Sequence, residues 1–141
     1  MDNELKRQII MDNYQNPFNF EVPGGKEYLK INSHNLNCID NIDLYILFDK
    51  DIIKDIRFNG EACAITTSST SIMIKSLIGK TIPEALEFIN NFENMIEEAE
   101  YNKELLNEAI VYDEIYKQQN RKTCAILPYK GLKEVLMNKM N

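Results

Sequence analysis

The most constraining feature of this chain is a pair of apolar segments that read as adjacent strands. Ile42, Leu44, Ile46 and Phe48 alternate with Asp43, Tyr45 and Leu47. Alternation with period two puts successive side chains on opposite faces, so residues 42–48 predict a half-buried strand. Asp49-Lys50-Asp51 predicts a turn, and residues 52–59 return as a second strand with Ile56 and Phe58 on one face. A hairpin alone is marginal in water, so its apolar face must be covered by the rest of the chain.

The flanking segments supply helices. Leu5, Ile9 and Tyr14 recur at roughly helical spacing over residues 4–15, and Asn16-Pro17 stops that helix because the residue before proline avoids helical geometry. Residues 18–26 predict a loop around Pro23-Gly24-Gly25, and 27–31 a short edge strand. Gly60 is read as the point where the chain leaves the sheet, with Cys63 at the exit. A helix is expected over 66–77, with Ile65, Met73 and Leu77 near one face and Gly79 closing it. Thr81-Ile82-Pro83-Glu84 forms a capping box with proline in the first turn, opening a helix with Leu86, Ile89 and Phe92 inward and an end near Ile96. Residues 97–108 are acidic and poorly periodic, and read as a solvated loop with a helical turn; 109–116 read as a short helix. The last helix is expected over 123–140, with Pro128 near its first turn and Leu127, Leu132, Val135 and Leu136 buried. The order predicts an α+β fold: a small antiparallel sheet of about three strands with helices packed on one face.

Composition excludes several classes. With 141 residues and 44% hydrophobic content, the chain supports one core, and residues 1–141 are read as a single domain. The longest apolar run is the five residues from Leu44 to Phe48, far short of the ~20 that a membrane helix needs. Residues 1–6 carry no apolar signal region, so a cytoplasmic location is expected. A net charge of −6 argues against broad nucleic-acid binding, which needs a basic face.

The chemistry lies in the cysteines. Three is an odd count, and a reducing cytosol disfavours a disulfide framework. The single histidine, His34, excludes any site built on a histidine pair and reads as a solvated loop residue. Cys38-Ile39-Asp40, Cys63 and Cys124 each fall at a predicted element boundary, where side chains are not committed to the core. Cys124 is read as opening the last helix, where a helix N-terminus stabilises a thiolate. Three thiolates and a carboxylate make a four-coordinate set suited to zinc, and thiolate-rich sets also hold iron–sulfur clusters. Spacing alone leaves two readings open, a metal set or three unrelated packing cysteines. Cys-x-Asp is not a metal knuckle, and 25 and 61 residues separate successive cysteines. Arg121 reads either as orienting Asp40 or Cys38 through a charge-assisted hydrogen bond, or as a surface residue before a helix. The hydroxyl run over 66–71 has no His–Asp partners for nucleophilic work and reads as helix-to-sheet packing. The acidic stretch over 93–104 reads as a solvated face.

Four segments in order resemble the U-type iron–sulfur cluster assembly family, which includes IscU and NifU N-terminal domains and SufU. Ile10-Met11-Asp12-Asn13-Tyr14-Gln15-Asn16-Pro17-Phe18-Asn19 is similar to its "DHYxNPRN" segment, and Asn37-Cys38-Ile39-Asp40 to its "xCGD" loop. Phe58-Asn59-Gly60-Glu61-Ala62-Cys63-Ala64-Ile65 resembles "FxGxGCxIS", and Arg121-Lys122-Thr123-Cys124-Ala125-Ile126-Leu127 resembles "RxKCATL". Thr123 stands where the scaffold branch has histidine, the "LPPVK" stretch is absent, and the gap from Cys63 to Cys124 is long, so the chain looks most like the SufU branch. Ile39, Asn13 and Phe18 depart from the family's Gly, His and Arg. The resemblance implies a zinc site of Cys38, Asp40, Cys63 and Cys124, with Cys38 accepting persulfide sulfur from a cysteine desulfurase of the SufS type. A downstream iron–sulfur scaffold is a further implied partner. The alternative is a transient scaffold holding iron or an iron–sulfur cluster on the same thiolates.

Overall fold

The hairpin is the centre of the sheet's register. The computed structural model describes residues 1–25, 27–36 and 39–140. Helix α1 (Asn3–Gln15) precedes strands β1 (Leu29–His34), β2 (Asn41–Asp49) and β3 (Ile52–Glu61). Helices α2 (Ala64–Leu77) and α3 (Ile82–Ile96) follow, then 3-10 turns at Lys103–Leu105, Asn107–Tyr112 and Ile115–Lys117, and finally α4 (Gln119–Met140). The strands form one antiparallel sheet in the order β1-β2-β3. This is the α+β architecture expected from the sequence.

One sheet face carries Ile42, Leu44, Ile46, Ile53, Ile56 and Phe58, all buried in the core. Ile53 and Ile56 share that face although three positions apart, because a bulge breaks strict alternation. Leu47 pairs with Asp55 and Phe48 with Ile53, so Lys54 is the extra residue. The opposite face is polar: Lys30 lies 3.8 Å from Asp43, and Arg57 holds Asp55 at 2.7 Å and pairs with Glu21. The outer edge of β3 is covered at both ends. Phe58 N–H donates to the Asn19 carbonyl at 3.1 Å and Ile53 N–H to that of Lys80 at 2.9 Å, which blunts pairing with other chains.

Several boundaries differ from the sequence reading, each because long-range contacts override local pattern. Strand β1 runs to His34 rather than ending at Ile31, since its polar residues are aligned by pairing with β2 from Leu29↔Ile46 to His34↔Asn41. Gly60 remains inside β3, opposite Ile42, rather than releasing the chain. Its φ is +132°, and a Cβ there would stand 2.2 Å from the Asn41 carbonyl oxygen, so glycine permits a close crossing. Helix α4 begins at Gln119, so Pro128 lies in its interior and Cys124 in its second turn, not at its opening. The stretch read as a solvated loop with a helical turn over 97–108 and as a short helix over 109–116 forms three 3-10 turns packed on the core. Leu106, Ala109, Val111, Tyr112 and Ile115 are buried, while Glu97 and Glu108 pair outward with Lys122 and Lys75. The segment reads as polar because 3-10 turns do not bury side chains with an α-helical period.

Helix α2 is central. Three of its serine hydroxyls bind other helices and turns rather than the sheet: Ser69 donates to the Ala125 carbonyl at 2.6 Å, Ser71 to Asn13 Oδ1 at 2.7 Å, and Ser68 shares 2.6 Å with Tyr112. Small side chains let neighbouring helices approach, and each buried hydroxyl of α2 is satisfied. No helix among the described residues is long and apolar enough to cross a membrane.

Two outcomes follow from this packing. Gly60→Ala should lose on the order of 2 kcal/mol in urea unfolding, from strain at positive φ and the clash with Asn41. An unchanged midpoint would show that the strands separate at no cost. Tyr129 stacks on Phe92 at 4.0 Å between centroids, and its buried hydroxyl lacks a partner among the described residues. Tyr129→Phe should therefore be neutral or gain about 1 kcal/mol, whereas a clear loss would reveal a hydrogen bond through buried water.

Candidate metal centre

Three elements meet at Asp40. It ends the connection between β1 and β2, where Asn35 N–H donates to the Asp40 carbonyl at 3.0 Å and His34 pairs with Asn41. Cys63 caps α2 in extended geometry, its sulfur accepting from Thr66 N–H at 3.4 Å. Cys124 is buried in α4, its thiol 3.5 Å from the Asn120 carbonyl. One carboxylate oxygen of Asp40 and the sulfurs of Cys63 and Cys124 all lie within 4.8 Å of one another.

The carboxylate is only 1% exposed, yet both oxygens are engaged. Oδ1 accepts from Cys63 N–H at 2.8 Å, and Oδ2 from the Thr66 hydroxyl at 2.7 Å. The Cys63 thiol stands 3.9 Å from Oδ2. Burial opposes ionisation of Asp40, but donation by Cys63 N–H, the Thr66 hydroxyl and the two thiols outweighs it and holds the carboxyl below its ordinary value. The Cys124 thiol is pushed up, first by burial and then by Cys63 and Asp40 beside it. Cys124 lies in the second turn of α4 rather than at a helix start, and the N-cap position belongs instead to Cys63 of α2. A buried carboxylate and two thiols present concentrated negative charge once deprotonated, which a cation would neutralise. Tetrahedral donors about 2.0–2.3 Å from zinc stand roughly 3.3–3.8 Å from one another. The 3.9 Å separation of Asp40 Oδ2 and Cys63 Sγ is within a small contraction of that spacing, so the residues fit a small thiophilic cation.

The other residues singled out in the sequence fall as follows. Cys38 lies outside the described residues. His34 ends β1, exposed, with Nδ1 3.0 Å from Asn32 Oδ1. Arg121 is exposed in the first turn of α4, and the side chains beside the Asp40 carboxylate as donors are Thr66 at 2.7 Å and the Cys63 thiol at 3.9 Å. Thr123 is exposed and accepts from Asn35 at 3.3 Å. Asn13 is buried and locks α1 to Ser71 of α2. Ile39 is 70% exposed beside the cluster, and positive φ among described non-glycine residues is confined to Asn19, Lys50, Glu98 and Asn107. Its backbone thus makes no demand for glycine. Thr66 was not singled out by itself in the sequence. The available signal was its place three residues after Cys63, where a capped helix turns its first free N–H groups toward the cap.

Residues 5–125 match the model of the NifU-like N-terminal domain. The chain belongs to this family. It is 34% identical over 131 residues to a protein of Bacillus subtilis strain 168 named zinc-dependent sulfurtransferase SufU, covering 92% of this chain and 88% of that one. It is also 34% identical over 141 residues to the iron–sulfur cluster assembly scaffold protein IscU of Streptococcus pyogenes serotype M1, covering 99% of this chain and 87% of that protein. A crystal structure from Fervidobacterium islandicum AW-1, described as a scaffold protein for the SUF system, superposes with a TM-score of 0.84 at 35% identity, over 92% of this chain and 94% of that one. The chain is thus a member of the SufU/IscU family of iron–sulfur cluster assembly proteins.

Asp40 makes a direct prediction. In chelator, Asp40→Ala strips an acceptor from Cys63 N–H and the Thr66 hydroxyl and should lose about 2 kcal/mol in urea unfolding. Because folding lowers the Asp40 pKa from its ordinary 3.8, the carboxylate's contribution is complete above that value and is lost as pH falls through the folded value. Asp40→Asn should flatten this acid limb; an unchanged limb would assign it to other carboxylates.

Proposed function

We propose that this chain is a zinc-dependent sulfur-transfer protein of iron–sulfur cluster assembly, with Cys38, Asp40, Cys63 and Cys124 as the zinc ligands and Cys38 as the sulfur acceptor. The observation that carries the reading is the buried cluster of Asp40, Cys63 and Cys124 donor atoms within 4.8 Å. The name of the Bacillus subtilis relative supports zinc and sulfur transfer. Cys38 is two residues before Asp40 in the chain, so its connection to the cluster is short. Zinc bound here would keep the thiols deprotonated while occupying the lone pairs that react.

The chain's own residues assign the roles. Cys124 is fixed within a helix and buried, and Cys63 is tied by its own N–H to Asp40 and by its sulfur to Thr66 N–H. With those ligands held, Cys38 is assigned as the ligand that exchanges and accepts the sulfur. As the acceptor, the Cys38 thiolate would attack the terminal sulfur of a persulfide on a cysteine desulfurase. A new S–S bond forms at Cys38, the donor's S–S bond breaks, and the electron pair leaves on the donor's cysteine thiolate, which a proton then satisfies. No external oxidant or reductant is required. Arg121, exposed in the turn before Cys124, is assigned to orient the Cys38 thiolate by a charge-assisted hydrogen bond. The sulfur then passes to a downstream iron–sulfur scaffold.

Protein purified without chelator should carry about one zinc per chain, and Cys63→Ala should lose tight zinc. Cys38→Ser should keep the fold and lose stimulation of a SufS-like desulfurase, with mass spectrometry locating the extra sulfur on Cys38 in the parent. Full stimulation by Cys38→Ser, or persulfide on Cys63 alone, overturns the assignment. Oxygen-sensitive brown protein would instead favour the transient scaffold, a reading supported by likeness to the Streptococcus pyogenes scaffold protein.

A further inference from the structure

Thr66 has one hydroxyl hydrogen and two oxygen acceptors around it, with the Cys63 sulfur as a third polar neighbour. Asp40 Oδ2 stands at 2.7 Å, the Cys124 carbonyl oxygen at 3.1 Å and the Cys63 sulfur at 3.4 Å. The Thr66 residue is fully buried, so no solvent supplies a second donor. The Cys124 carbonyl is there for a reason visible four residues later. In a helix it would accept from the N–H of residue 128, but that residue is proline and has none. Pro128 inside α4 therefore frees a carbonyl on the same residue that offers a thiol to the cluster, and Thr66 of α2 reaches it.

We propose that Thr66 is the positioning residue of the metal centre, its single hydroxyl exchanging between the Asp40 carboxylate and the Cys124 carbonyl that Pro128 leaves without a helical donor. This rests on the reading of the cluster as a metal site. At 2.7 Å the hydrogen belongs to the carboxylate, which holds Asp40 against α2. A cation held by the Asp40 carboxylate would draw electron density from Oδ2 and weaken that acceptor. A rotation about Cβ–Oγ1 then turns the hydrogen to the Cys124 carbonyl and holds the helical turn carrying the thiol. No proton leaves the oxygen in either position. One buried hydroxyl thus supports Asp40 without metal and Cys124 with metal, so it governs how readily the site exchanges its ion.

The test compares wild type, Thr66→Val, Thr66→Ser, Pro128→Ala and the Thr66→Val/Pro128→Ala pair, using zinc alone and cobalt(II) alone. Circular dichroism in chelator verifies the fold, and Thr66→Ala provides a second hydroxyl-free variant if valine does not fold. Thr66→Val should surrender zinc to a competing chelator at ~10–100-fold lower chelator concentration than wild type, the usual scale for removing a partner of a metal ligand. Thr66→Ser should stay within about threefold of wild type, because it keeps the hydroxyl. The cobalt ligand-field and thiolate charge-transfer bands should shift in Thr66→Val and return in Thr66→Ser. Pro128→Ala supplies an N–H to the Cys124 carbonyl, so the loss caused by Thr66→Val should be smaller in that background. Equal zinc retention and identical cobalt spectra for wild type and Thr66→Val overturn the inference alone. So does serine behaving as valine, or full additivity in the pair. Wild-type protein that binds neither ion overturns the metal reading and this inference with it.

Discussion

A buried carboxylate holds this structure together at its functional end. Asp40 is withdrawn from water and engaged through both oxygens, one by the N–H of Cys63 and one by the hydroxyl of Thr66. An unpaired charge in such a place would cost several kcal/mol. Folding is favourable there only if the start of β2 and the first turn of α2 are in register with each other. The Thr66 hydroxyl also meets the Cys124 carbonyl, which extends the same constraint to α4. Three elements distant in sequence are thus aligned by one side chain, and the thiols of two of them are brought to its edge.

The rest of the molecule serves that alignment. The sheet gives one apolar face, and Gly60 lets β3 cross closely over Asn41 just before Cys63. Gly131 does the same for α4, where a Cβ would stand 3.2 Å from Ser33 Cβ, and Ser33 donates to the Leu127 carbonyl at 3.0 Å. Helix α2 carries small hydroxyl residues in place of bulky ones, so α1, α4 and the 3-10 turns close around it while each hydroxyl finds a partner. The result is a cluster whose carboxylate and thiols are fixed by hydrogen bonds from α2 and α4.

Legibility in the sequence followed the range of the interactions. The hairpin, the capping box at Thr81 and Glu84 and the stop at Pro17 are local, and all were readable. Strand β1 was displaced because Asn32, Ser33 and His34 carry no alternation of their own and are strand only through pairing with β2. The start of α4 was missed because Pro128 invites a helix beginning nearby, whereas packing against α2 and α3 sustains a helix that runs through it. Within the site, Asp40, Cys63 and Cys124 stood out by residue type, since thiols and carboxylates advertise their chemistry. Thr66 did not, because a threonine in a run of serines and threonines acquires a role only from what it faces.

The sequence by itself determined the α+β order of elements, the apolar faces and the identity of the donor residues, because periodicity, turn chemistry and thiol chemistry are properties of short stretches. Only the tertiary structure decided that Asp40, Cys63 and Cys124 share one buried corner and that Cys63 rather than Cys124 holds the helix cap. It also decided that a proline-freed carbonyl and a single hydroxyl complete that corner. These depend on contacts across 23 to 58 residues of chain, and geometry over such separations is set by packing rather than by any local pattern.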